Sequence, residues 1–147
     1  MRVYLVRHGE ANSEDVDPER HLSGHGTDEV RRIATDAVSQ FGVRPARVLH
    51  SGKARARETA EIWSGLLGAD IAEADGLAPN DDPSIWAARF ETEADDVMLV
   101  GHLPHLERLV GLLVAGDAEA AVAGFPAGGL VELENNDSAW VVSAARP

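Results

Sequence analysis

Residues 2–11 read RVYLVRHGEA: an apolar run that ends in an arginine, a histidine and a glycine. Val3 to Val6 carry no polar residue, which is how a strand buried on both faces looks. Such strands belong to parallel sheets covered by helices, so the downstream chain should alternate strand and helix. The charged triplet Arg7-His8-Gly9 falls where the strand hands over to a loop. A histidine at a strand end can be purely structural; a site requires further positive charge to converge on it.

The alternation is present. After an acidic loop from Glu10 to Arg20, LSGHGTDEVRRIATDAVSQFG (22–42) predicts a helix from about Thr27 to Phe41. Val30, Ile33, Ala34, Ala37, Val38 and Phe41 form its apolar face and Gly42 its stop. ARVLHS (46–51) is a second strand, followed by a helix in 52–68 with Ser51 as N-cap and Gly68 as terminator. A short edge strand is expected near Ile71, and Pro83 opens a helix running to about Thr92. DVMLVGH (96–102) is another buried strand. The helix after it places Leu106, Leu109, Val110 and Leu113 on one face. The tail predicts a hairpin turning at Asn135-Asn136-Asp137. The expected architecture is a three-layer α/β/α sandwich, mainly parallel with an antiparallel edge, forming one domain over 1–147.

Composition narrows the function classes. With 44% hydrophobic residues the chain is expected to be globular. It has no cysteine, which excludes disulfides, thiolate metal sites and a cysteine nucleophile. Its net charge of −12 makes nucleic acid and anionic membrane poor partners. No apolar run approaches the roughly 20 residues of a membrane span, and Arg7 interrupts any signal-peptide core, so a cytoplasmic protein is expected. Twelve of the 13 basic residues are arginines, Lys53 being the exception.

In an open parallel sheet, ligands bind at the carboxyl ends of the strands. Three such ends are notable here: Arg7-His8-Gly9, His50-Ser51 with Arg55 and Arg57 just beyond, and Gly101-His102. Two arginines and a helix N-terminus suit a tetrahedral dianion, because guanidinium forks and free N–H groups match phosphate oxygens. A histidine in that cradle, without a serine or cysteine nucleophile motif, points to phosphoryl transfer onto nitrogen. A second histidine opposite would stabilise the transferring group.

Four segments in order, LVRHGEA (5–11), RHLSGHG (20–26), SGKARARETA (51–60) and VGHLPHL (100–106), resemble the motifs of the histidine phosphatase, or phosphoglycerate-mutase-like, superfamily. Short length and wording resemble its small phosphohistidine phosphatase (SixA-like) branch. The resemblance implies a phosphoglycerate-mutase-like fold and His8 as the nucleophile that becomes phosphohistidine. It implies that Arg7, Arg55 and His102 hold the phosphoryl group, and that Arg20 is an additional phosphate contact. Two positions depart from the branch: His21 and Gly52 stand where proline is common, and Gly52 is expected to loosen the following helix start.

Only about 45 residues lie between Arg55 and His102, leaving little room for a lid over a small molecule. An open site suits a phosphorylated protein, such as a phosphorelay component. Expelling imidazole, whose conjugate acid has a pKa of about 6.5, also asks less of a proton donor than expelling an alkoxide. Glu10 and Asp82, with Asp81, are the candidate donors should the substrate be a small phosphate ester. A phosphate-recognising module without turnover is the reading of another class. No metal or cofactor is implied: His21 and His25 lie at i,i+4 without a carboxylate or cysteine to complete a site. Arg57, about 200° around its helix from Arg55, is expected in a surface salt bridge. His50 and His105 are read as packing around the site, and Trp63, Trp86 and Trp140 as core or edge packing.

Overall fold

The computed structural model describes residues 1–137 and 139–147. In chain order its elements are β1 (Arg2–Arg7), α1 (Gly24–Phe41), β2 (Arg47–His50), α2 (Ala54–Leu67), β3 (Asp70–Glu73), α3 (Ser84–Phe90), β4 (Val97–Gly101), α4 (His105–Ala115), β5 (Leu130–Asn136) and β6 (Ala139–Arg146). The strands form one sheet in the order β3-β2-β4-β1-β5-β6. β1 to β4 pair in parallel, and β5 and β6 add two antiparallel pairings beside β1. This is the expected α/β/α sandwich. Among the described residues no helix is long and apolar enough to cross a membrane.

The apolar run of β1 is buried because both of its faces are covered. Val3 and Leu5 pack with Leu99, Trp86, Phe90, Leu106 and Leu109, the cluster under α3 and α4. Tyr4 and Val6 turn the other way, onto Val30, Ile33, Trp63 and Met98 under α1 and α2. Each such buried aliphatic side chain is worth about 1.5–3 kcal/mol, so β1 ties the two layers together.

Register then sets the site. Arg7 lies opposite Gly101, and His50 opposite Val100, so β1, β2 and β4 end nearly level. The His8 amide donates to the Gly101 carbonyl at 3.0 Å. His8 and His102, each one residue past its strand, therefore leave the sheet side by side.

Several local expectations change. α1 begins three residues early because the Ser23 hydroxyl accepts from Gly26 N at 2.9 Å and caps it. Phe41 is 49% exposed rather than in the core, with the Arg146 guanidinium stacked over its ring. α2 begins at Ala54, and its cap position is Lys53 without a side-chain bond, so Ser51 is not the cap. α3 ends at Phe90. Asn135 and Asn136 stay within β5, opposite Trp140 and Ala139, and of these three residues Asp137, at φ 62°, is the one in the turn.

Gly26 marks where α1 presses on the loop after β1, since a Cβ there would overlap the Glu10 carbonyl oxygen. Backbone cannot yield as a side-chain tip can. Gly26→Ala should lower unfolding free energy by about 2–3 kcal/mol in a denaturant titration. Gly24→Ala, with nothing within 4 Å, should change it by less than about 1 kcal/mol. Equal effects would refute the close-approach argument.

Candidate active site

His8 is oriented by its own loop. Its Nδ1 lies 2.7 Å from the Gly9 carbonyl oxygen, so Nδ1 carries the hydrogen and donates, leaving the Nε2 lone pair free. Gly9 is braced in turn: its amide donates to Thr59 Oγ1 at 3.0 Å, and that hydroxyl donates to the Arg55 carbonyl at 2.8 Å. A Cβ on Gly9 would come within 2.5 Å of Val30 Cγ2. Burial, then the charges of Arg55, Arg7 and Arg20, lower the His8 pKa to about 4. The imidazole is thus neutral at pH 7.

The three arginines arrive from three elements. Arg7, ending β1, donates through one terminal nitrogen to the Phe125 carbonyl at 2.9 Å. Arg55 lies in the first turn of α2, where burial and Arg20 lower its pKa. Arg20 sits in the loop before α1 at φ 53°, a left-handed conformation that disfavours side chains. The loop over-determines it: Arg20 Nε donates to Asn12 O at 3.1 Å and its amide to Asp17 O at 2.9 Å.

His102 faces His8, with ring centroids 5.1 Å apart. Its Nε2 lies 2.6 Å from Ser51 Oγ. Burial, then His8, Arg55 and Lys53, lower its pKa to about 3, so it too is neutral. A neutral ring that takes the Ser51 hydroxyl hydrogen on Nε2 carries its own hydrogen on Nδ1. That Nδ1, Arg7 Nε and Arg55 Nε are buried and have no partner among the described residues. Unpaired buried donors are costly, and N–H donors of this kind are what an oxyanion accepts from.

The structure thus brings His8, His102, Arg7, Arg20 and Arg55 together. The three candidate proton donors are engaged elsewhere: Asp81 accepts from Ala78 N at 2.9 Å. Glu10, exposed, accepts from the Ser23 hydroxyl at 3.0 Å. Asp82 accepts from Ser84 N at 2.9 Å, which holds its carboxyl below the usual range. His50 accepts from the Gly52 amide at 3.0 Å, whereas His105 is fully buried with neither ring nitrogen partnered. Arg57 pairs with Glu61 at 3.3 Å. His21 binds Asp17 and Glu19, and His25 lies 3.7 Å from Glu29. No group of three or more metal-ligating side chains forms among the described residues. A groove of about 580 Å³ between α1 and α2, flanked by Leu22, Ile62 and Leu66, holds none of the converging residues.

Both departures from proline have a structural use. Gly52 adopts φ 91°, which proline cannot, and its amide supplies the bond to His50. The His21 amide donates to Asp17 Oδ2 at 2.8 Å. The Gly52 turn before α2 is therefore held by a backbone hydrogen bond, although the helix start itself has no side-chain cap. Sequence reading missed the Ser51–His102 bond, because its two ends are 51 positions apart and no local pattern announces it.

Comparison with known proteins bears on the family and the fold. The family model for the histidine phosphatase superfamily (branch 1) matches residues 3–81. The protein histidine phosphatase SixA, solved with tungstate, is similar at 25% identity and TM-score 0.85, over 99% of this chain and 96% of that one. A protein of Agrobacterium tumefaciens assigned as phosphohistidine phosphatase SixA is similar at 31% identity and TM-score 0.80, over 99% and 97%. The alpha-ribazole phosphatase of Shigella flexneri, at 16% identity and TM-score 0.82 over 100% and 96%, shares the fold. Curated protein sequences gave no match. Family model and fold coincide: this chain belongs to the histidine phosphatase superfamily.

Proposed function

We propose that the protein is a single-domain cytoplasmic phosphatase that hydrolyses phosphohistidine on a partner protein through a phospho-His8 intermediate. The observation that carries this reading is the His8 tautomer: Nδ1–H is committed to Gly9 O, and Nε2 offers its lone pair among three arginines and His102. The similarity to SixA, which was solved with a tetrahedral tungstate, supports it.

In the first step the His8 Nε2 lone pair forms a bond to phosphorus as the substrate P–N bond breaks. The departing imidazole keeps that electron pair and takes a proton from solvent. Arg7, Arg20, Arg55 and His102 Nδ1–H neutralise the three equatorial oxygens. A water oxygen then bonds to phosphorus as the P–Nε2 bond breaks; Nε2 keeps the electron pair, the surplus water proton passes to solvent, and inorganic phosphate leaves with neutral His8 restored. The cycle employs no metal. It needs no carboxylic acid either, which fits the engagement of Glu10 and Asp82 elsewhere.

Phosphate release from a phosphohistidine-bearing transfer domain should exceed release from an aryl phosphate, and His8→Ala should reduce it by about 10³-fold or more. Faster turnover of the aryl phosphate would sink the leaving-group argument and implicate Asp82 or Glu10. Release from neither, with tight binding of the phosphoprotein, would leave a recognition module.

Ser51 acts through His102 as a positioning residue. Ser51→Ala should lower kcat about tenfold, or ~1.4 kcal/mol, with KM little changed, and Ser51→Thr should restore most of it. An unchanged kcat, or equal loss in both variants, would refute the hydroxyl's role.

Burial and three arginines disfavour the imidazolium, so the His8 ring resonance should titrate by NMR near pH 4, against about 6.5 in the unfolded chain. Bound phosphate should raise that midpoint. The stability sign follows: as pH falls below 6.5 the unfolded chain binds the proton first, so His8 and His102 weaken the fold progressively toward pH 4. A midpoint at 6.5 would contradict the pocket's electrostatics.

A further inference from the structure

A cleft of about 550 Å³ adjoins the His8 pocket, lined by Arg20, Lys53, Arg55 and Arg57 with Glu14 and Glu19. Four of the chain's 13 cationic residues thus border one cleft on a molecule of net charge −12. Of its two carboxylates, Glu19 is held by His21 at 3.2 Å. Arg20 and Arg55 belong to the phosphate cradle; Lys53 and Arg57 do not. Lys53, the sole lysine, is exposed and close enough to His102 to lower its pKa. Arg57 is half exposed and among the described residues is tied only to Glu61 on its own helix, an i,i+4 pair of little strength.

The backbone that presents Lys53 is tightly held. Gly52 turns at φ 91°, bonds His50 through its amide, and lies so close to Glu73 that a Cβ would overlap that side chain. A pinned loop carrying an ammonium that pairs with no carboxylate among the described residues, beside a phosphate cradle, has the makings of a recognition element.

We propose that Lys53 and Arg57 form a second anion subsite, so that the protein prefers substrates carrying a carboxylate or phosphate beside the phosphoryl group received by His8. This rests on the phosphatase reading above. The second anion has two sources: acidic side chains flanking a phosphohistidine, or the distal phosphate of a small ester.

Two matched substrate pairs separate them: phosphohistidine peptides flanked by Glu or by Gln, and an alkyl bisphosphate against its monophosphate. In at least one pair kcat/KM should favour the anionic member about five- to tenfold, mostly through KM. Lys53→Gln with Arg57→Gln should cut that ratio below about twofold, as should high salt. The pair that shows the preference names the source. Absence of preference in both pairs, or its survival in the double variant, would overturn the subsite. Calorimetric binding of the same four compounds to His8→Ala, with and without the two substitutions, reads the preference without turnover. Failure of the catalytic reading is thereby distinguished from failure of the subsite.

Discussion

The hydrogen bond from the His8 amide to the Gly101 carbonyl is the constraint on which the site depends. It extends the β1–β4 ladder one step past the strand end, so the two histidines emerge from neighbouring strands at the same height. Because side chains alternate along a strand, a one-residue slip in this register would exchange every inward and outward position. It would also carry Val3 and Leu5 out of one buried cluster and Tyr4 and Val6 out of the other. The packing of β1 between two helical layers and the pairing of His8 with His102 are thus a single requirement.

Electrostatics follow from that placement. Two imidazoles at 5.1 Å, among arginines and largely removed from water, both disfavour the charged imidazolium form. Keeping them neutral serves opposite purposes: His8 retains a lone pair on Nε2, while His102 presents a hydrogen on Nδ1. The difference comes from what each ring bonds on its far side, a carbonyl acceptor for His8 and a hydroxyl donor for His102. Arginine suits this setting because its charge survives burial beside other cations, where a lysine would give up its proton more readily.

The loops around the pocket are held by their own amides. At 21 and 52 the chain has residues whose N–H groups donate to Asp17 and to His50, bonds that proline could not make. These bonds fix the strained Arg20 backbone on one side and the Gly52 turn below Lys53 on the other. The cleft walls are therefore set by local hydrogen bonds as much as by the sheet.

Much of this was legible from residue order alone. Uninterrupted apolar runs before His8 and His102 announce strands buried on both faces, and helical periodicity between them announces the covering layers. Hence the sandwich, the strand ends and the converging Arg7, His8, Arg55 and His102 could all be placed beforehand. Local chemistry misled where a residue had a distant alternative: Ser51 has the makings of a helix cap, and Phe41 fits an apolar stripe. The first is claimed by His102 at the end of the neighbouring strand β4, and the second meets Arg146 at the end of β6. Periodicity and capping propensity follow from neighbours a few positions away, and these the sequence determined by itself. The Gly9 bond that orients His8 and the Ser84 bond that holds Asp82 are equally local. The Ser51 bond to His102, the lowered pKa values of the two histidines and the engagement of Glu10 by Ser23 depend on groups brought near only when sheet and loops assemble, so the tertiary structure alone decided them.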